Sequence, residues 1–527
     1  MSIHSGLTKS MTEEIKKIYD AEDHGVDFMD WDGFLDSFEQ LSHADPDKQI
    51  DMLGSLLLCK PAPAYRYLTY ALLELFQGDS PTPAQFQEKA ENVFAEAEAT
   101  QNANTTARYE QPLLKELTDL VFDRMVENGF SAPTNTKTPK VYASLWRQNI
   151  WTRKGLCEAL FSDKKPITKE NFFALSLGLS FDISFVQDYL KRVLRTPELN
   201  VWNIKEVLVY VLLKNPSQTD NPYVIYRKLL SRYENAEPAA PAQTEEQQTE
   251  EVKDFVEQLA DALLSTSPDS PAVQSLLSQY KYLMAQQPEN VQKGWDVVNT
   301  RLEEMRPLTP KQKENANYGS AREEKIAAWE HLHTANRLFL DLCNSVENKL
   351  QAFELDDCEE TYTTADAGVI GKFIYGFPYE ALMVDEEHPF NKTLFVDLFA
   401  PVLNGTQFDS AQIWKISHGK EVSREKLMTM AFLNRALDIE SPTDQSLNTN
   451  SYVSLHIETD EEFLYATLAS FRNDYMNPIL RQAGFDELYC MNPFDCMLMY
   501  LSLLDTPFAA YCYISSICKQ QGKEADK

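Results

Sequence analysis

Pro166-Ile167-Thr168-Lys169-Glu170-Asn171-Phe172 and Glu421-Val422-Ser423-Arg424-Glu425-Lys426-Leu427 repeat one pattern in two distant parts of a 527-residue chain. In each, a short polar turn leads to a Thr or Ser in N-cap position, where its hydroxyl can accept an orphan N–H of the next helix. The copies run from Asn149 to Leu179 and from Phe408 to Leu433, each with a basic and apolar helix before the turn and an apolar helix after it. A helix, a turn and a capped helix, written twice, predicts an all-α, multi-helical architecture with one such module in each half.

Further on, Val186, Tyr189, Leu190, Val193 and Leu194 lead to Asn203-Ile204-Lys205-Glu206-Val207-Leu208. Met476, Ile479 and Leu480 lead likewise to Asn492-Pro493-Phe494-Asp495-Cys496-Met497-Leu498. An Asn opening an apolar helix is the same capping device in both.

Composition agrees with a helical chain. There are 17 glycines, well under the ~7% of ordinary proteins, which leaves little material for hairpins or phosphate loops. Thr82-Pro83 with Gln85 supplies an N-cap, a first-turn proline and a capping-box partner; Asn128-Gly129 is a stop, and Ser270-Pro271 opens another helix. Apolar residues recur at helical spacing in Leu113, Leu114, Leu117, Leu120, Val121 and Met125.

From 234 to 254 the chain is low in complexity and rich in Pro, Ala, Gln, Thr and Glu, a composition expected to form a disordered linker. The expected organisation is an N-terminal helical domain (1–130), a first module (131–233), that linker, and a helical bundle (255–360) with a long helix over 321–353. An irregular segment (361–399), a second module (400–518) and a polar tail (519–527) follow. In the long helix, Trp329, Leu332, Asn336, Phe339, Cys343, Val346, Leu350 and Phe353 form an a/d seam containing a polar Asn. Leu340 and Leu342 widen its apolar face beyond a two-stranded coiled coil, to that of a buried bundle helix.

The residues around the repeated turn resemble the third and fourth helices of the Cro/C1-type helix-turn-helix family. Ile413, Ile416, Gly419, Lys420, Ser423 and Leu427 carry the likeness: a helix ending in a Gly-Lys turn, then a Ser that caps the next. It covers about 30 residues per copy. Leu145 and Leu403 stand where the family places a small residue, so the resemblance implies modules that keep the helical packing in degenerate form.

Charge separates the copies. The chain carries 49 basic and 80 acidic residues, a net −31, which repels phosphate backbones and anionic lipid on average. Yet 137–169 nets +6, from Lys137, Lys140, Arg147, Arg153, Lys154, Lys164, Lys165 and Lys169 against Glu158 and Asp163, with Trp146 and Trp151 interleaved as stacking surfaces. Clustered cations with aromatic faces are what nucleic-acid contact requires; a basic face docked on the protein's own acidic surface has the same count. The second-module equivalents are Lys415, Lys420 and Arg424.

The sequence carries no recognisable catalytic motif. Gly371-Lys372 lacks a phosphate loop, His331 and His333 point to opposite sides of a helix, and the acidic clusters lack calcium-loop spacing. No catalytic residue, metal site or cofactor is expected. Eight cysteines without a pairing pattern suit reduced thiols in the cytoplasm, and no secretory signal is read in the N-terminal stretch. Asp505 and Pro507 split the apolar run Cys496–Cys518 into two halves too short for a bilayer, so a buried helical hairpin is expected rather than a membrane span. The sequence therefore predicts a non-enzymatic cytosolic protein acting through macromolecular contacts, with another protein or the other half of the same chain as partner. The alternative is a transcriptional regulator that binds DNA through the basic first module.

Overall fold

The computed structural model describes residues 31–44, 63–78, 81–130, 151–162, 167–200, 202–214, 221–239, 248–285, 334–351, 392–403, 410–417, 420–440 and 461–525, with a few positions between them. They form two compact units: residues 1–27 with 60–286, and residues 28–59 with 287–527. The class is all-α and multi-helical, apart from one pair of two-residue strands. Among the described residues no helix is long and apolar enough to cross a membrane.

Helix α1 (Trp31–Ser42) belongs to the second unit although it is the first helix among the described residues. The first unit runs α2 (Ala64–Leu75), α3 (Pro83–Ala99), α4 (Thr105–Tyr109), α5 (Pro112–Glu127), α6 (Arg153–Phe161) and α7 (Lys169–Leu179). Helix α8 (Ile183–Tyr189) continues into a π-helical turn (Leu190–Leu194) and is followed by α9 (Ile204–Lys214), α10 (Pro222–Asn235), α11 (Gln248–Ser265) and α12 (Pro271–Ala285). Local chemistry sets these boundaries. Thr82 and Gln85 form the reciprocal capping box at the start of α3, and Asn128 ends α5 with Gly129 at φ 91°.

Helix α9 is buried on two sides. Val209, Leu212 and Leu213 enter the main core with Phe172, Tyr189 and Trp151, while Val207, Leu208 and Val211 join a second cluster with Leu229, Phe255, Leu259, Leu277 and Tyr280. That second cluster revises the expected organisation. The span 234–254 was expected to be linker, yet α11 starts at Gln248 inside it, and both α11 and α12 belong to the first unit. The cause is the stripe Phe255, Val256, Leu259 and Leu263, which gives a Glu/Gln-rich helix one apolar face to bury against α9 and α12.

The second unit contains α13 (Thr334–Gln351), β1 (Met383–Val384), α14 (Lys392–Leu403), α15 (Ser410–Ser417), α16 (Arg424–Ile439) and β2 (Tyr452–Val453). Helix α17 (Glu461–Ala469) with its π-helical turn (Ser470–Met476), α18 (Asn477–Ala483), α19 (Pro493–Leu501) and α20 (Pro507–Ala525) complete it. The strands pair in parallel, Met383 with Tyr452 and Val384 with Val453. So the expected irregular segment 361–399 contains one short strand and the first turns of α14.

Helix α1 adds Phe34, Phe38 and Leu41 to this unit's buried residues, and Glu39 accepts the Tyr465 hydroxyl at 2.7 Å. Gln49 exchanges two hydrogen bonds with the Ile457 backbone. In α13 the residues Asn336, Phe339, Cys343, Val346 and Leu350 are buried. Helices α19 and α20 pack together across the turn that holds exposed Asp505, with α20 buried from Phe508 to Ile517.

Candidate functional site: the starts of the capped helices

Thr168 is the N-cap of α7, its hydroxyl accepting the Asn171 N–H, and Ser423 is the N-cap of α16, accepting from Lys426; both distances are 3.4 Å. The next residue in each case is a cation that turns back into its own unit.

In the first unit, Lys169 Nζ lies 2.9 Å from Oε1 of Glu206, whose side chain is only 2% exposed. Glu206 stands three residues after Asn203, the residue preceding α9. Its Oε2 accepts the Asn200 N–H at 2.7 Å, and Asn203 Nδ2 donates to Oε1 at 3.3 Å. The carboxylate thus joins the start of α7, the start of α9 and the loop before it.

In the second unit, Arg424 donates to both carboxylate oxygens of the fully buried Asp495, each at 2.7 Å, and to the carbonyls of Asp486 and Glu487, each at 2.9 Å. Asp495 stands three residues after Asn492, the cap of α19, and accepts the Tyr489 N–H at 2.8 Å. Burial pushes the Asp495 carboxyl up, and the guanidinium and the Tyr489 N–H pull it back. For Arg424, burial works against the cation, but Asp495 more than offsets it and holds the guanidinium's pKa above its usual value.

The turn into α16 has a further anchor. Asn336, 1% exposed on α13, donates to the carbonyls of Ile416 (3.1 Å) and Lys420 (3.0 Å) and accepts the Val422 N–H at 3.1 Å. The polar position in the α13 seam therefore stitches a turn rather than fixing a coiled-coil register.

Of the other expected nucleic-acid residues, Lys137, Lys140, Arg147, Lys164 and Lys165 lie outside the described residues. Arg153, first residue of α6, pairs with Asp119 at 2.7 Å and Asp123 at 2.6 Å on α5 and covers the Phe122 ring at 4.4 Å. Burial opposes its charge, and the two aspartates more than compensate. Lys154 is exposed, with Nζ 3.4 Å from the Thr106 hydroxyl. Lys415 and Lys420 are exposed. Trp151, expected as a stacking surface, is instead a core residue, 2% exposed and edge-to-face with Phe130 at 5.8 Å. Trp146 and the pair His331 and His333 lie outside the described residues.

Glu206, Asp495 and Asn336 were not singled out as site residues by sequence reasoning. The available signal was an acid three residues after each helix-opening Asn, a capping-box spacing, combined with a cation straight after each Thr or Ser cap. Cys157, Cys343, Cys490, Cys496 and Cys512 are buried thiols, and burial raises the Cys157 pKa to about 11. Among the described residues no group of His, Cys, Asp and Glu is arranged to hold a metal ion. No family model, curated protein or solved structure matches the chain.

Proposed function

We propose that the protein acts without catalysis of its own, as a cytosolic helical scaffold working through contacts with other macromolecules, most directly with another protein. The observation that supports this is the commitment of Arg153, Lys169 and Arg424 to carboxylates of their own unit. Phosphate binding draws its free energy from counterions released by cations that face solvent; a guanidinium already neutralised by a buried aspartate has none to release. These residues shape helix starts, leaving the helical surfaces for protein contact.

The second reading, a DNA-binding regulator, is favoured by the exposure of Lys154, Lys415 and Lys420 and by the +6 balance of 137–169. Titrating full-length protein against a fluorescent DNA duplex from low to physiological salt separates the two. The scaffold reading expects weak binding with a shallow salt dependence, the same in Lys154→Glu. A steep dependence, roughly one unit of log–log slope per phosphate contact, reduced by Lys154→Glu, would overturn it in favour of DNA.

A further inference from the structure

We infer that the two units contain two copies of one helical module, whose fixed element is an ion clasp tying the start of the Thr/Ser-capped helix to the start of the Asn-initiated helix. This stands independently of what the scaffold binds.

The correspondence is position by position. Thr168-Lys169-Glu170 matches Ser423-Arg424-Glu425, and Glu198-Leu199 and Glu487-Leu488 precede Asn203 and Asn492 at the same spacing. A left-handed residue stands eight before each Asn: Arg195 at φ 51° and Gly484 at φ 74°. Each Asn Oδ1 accepts the N–H two residues on, from Lys205 and from Phe494, both at 3.0 Å. Each acid accepts the N–H six residues back, from Asn200 and from Tyr489.

An Asn cap with an acid at its third helical position is a common local device and would prove little. The amide six residues back, the left-handed residue at a fixed offset and the cation at the start of a distant helix are not demanded by capping. Their recurrence needs a common backbone frame.

The chemistry of the pairs adds a separate argument. Arginine reaches one atom further than lysine, and aspartate is one methylene shorter than glutamate, so Lys169–Glu206 and Arg424–Asp495 span the same number of covalent bonds. The longer cation has the shorter acid as partner. Compensation of this kind is expected when two backbones present their helix starts at the same separation and each pair must fill it. Lys169 and Arg424 are then positioning residues in equivalent places, not phosphate contacts.

Exchanging the two chemistries tests this, read by amide hydrogen exchange at Asn200 and Tyr489 in the full-length chain. Lys169→Arg or Glu206→Asp alone leaves a mismatched span and should speed exchange at Asn200 roughly tenfold, as for a strained or lost buried hydrogen bond. The double variant Lys169→Arg/Glu206→Asp should return it close to the parent rate. Arg424→Lys, Asp495→Glu and their double should do the same at Tyr489. Doubles no better protected than the singles, in either unit, would overturn the equivalence. Should an exchange variant lose its helical circular dichroism, Lys169→Met and Arg424→Met read the same amides: both responding supports the inference, and only one responding overturns it.

Discussion

Helices α7 and α16 are both buried along much of their length, but different chemistry holds them. Around α7 the neighbours are largely aromatic: Phe172 stacks on Tyr189 at 3.9 Å, and Phe181, just beyond the helix end, meets Phe185 edge-on at 5.0 Å. Around α16 the buried face is apolar too, with Phe432 edge-on to Phe471 at 6.3 Å, but a set of polar bonds is added to it. Arg424 grips Asp495, Asn434 accepts from Ser345 at 2.7 Å and donates to the Tyr475 hydroxyl at 3.2 Å, and that hydroxyl donates to the Ala431 carbonyl at 2.8 Å. Apolar packing loses free energy in proportion to what is removed, whereas a buried polar network loses the bond and strands its partner. The second unit should therefore fail more sharply when one atom is changed.

The largest effect is expected at the second clasp. Asp495→Asn removes the counter-charge of a mostly buried guanidinium and should destabilise the second unit by about 3–5 kcal/mol, measured by urea unfolding with local hydrogen exchange. Glu206→Gln should cost only about 1–3 kcal/mol, because the Lys169 ammonium meets one oxygen of Glu206, whereas the Arg424 guanidinium is held by both oxygens of Asp495. Equal losses would erase the contrast between the units.

Next comes the stitch at the turn. Asn336→Leu keeps the volume but leaves the Val422 N–H and the carbonyls of Ile416 and Lys420 without this partner. About 2–3 kcal/mol should be lost, with exchange at the Val422 amide quickened. Asn336→Asp, which retains the acceptor for Val422, should protect that amide better than Leu does; the reverse order would mean that the turn does not depend on this bond.

In the first unit the corresponding probe is steric. A Cβ added at Gly178 would lie 2.3 Å from Met125 Sδ and 2.9 Å from the Phe130 ring, so α7 and α5 meet where only hydrogen fits. Gly178→Ala should cost about 1–3 kcal/mol by thermal unfolding, and pairing it with Met125→Ala should show favourable coupling, since the Met125 part of the clash disappears and only the Phe130 contact is left. A neutral Gly178→Ala would show a looser crossing than the aromatic core implies.

What the sequence reveals about this molecule depends on range. Thr82, Asn128, Thr168, Ser423 and Asn492 were legible because a cap is an arrangement among residues two to four apart. The clasps were not, because Lys169 meets Glu206 only after α7 and α8 have turned the chain back, and nothing near Glu206 reports that its carboxylate will be buried. The linker expectation over 234–254 ran across the first residues of α11 because 248–254 is polar apart from Val252, and the apolar stripe that buries the helix starts only at Phe255, past the end of that span. Assigning α1 to the second unit was out of reach for a similar reason: Phe34, Phe38 and Leu41 announce a buried face without saying which core it fills. The basic span was legible as charge and illegible as contact, since Arg153 finds Asp119 and Asp123 through tertiary folding alone.

The smallest expected effect tests the comparison from the other side. Thr168→Ala and Ser423→Ala each remove one hydroxyl acceptor from one helix start, and a cap's worth is set by the two or three N–H groups within its reach, not by the core behind it. Both should cost about 1 kcal/mol or somewhat less, since each accepts its N–H at a long 3.4 Å. They should agree within about 0.5 kcal/mol when unfolding of each variant is followed by circular dichroism. Agreement here beside a large difference between Asp495→Asn and Glu206→Gln would place the asymmetry of the two units in their buried partners. A much larger loss for Ser423→Ala would instead make the cap part of the polar network around Arg424, its neighbour in the chain, and the two helix starts would no longer be comparable parts.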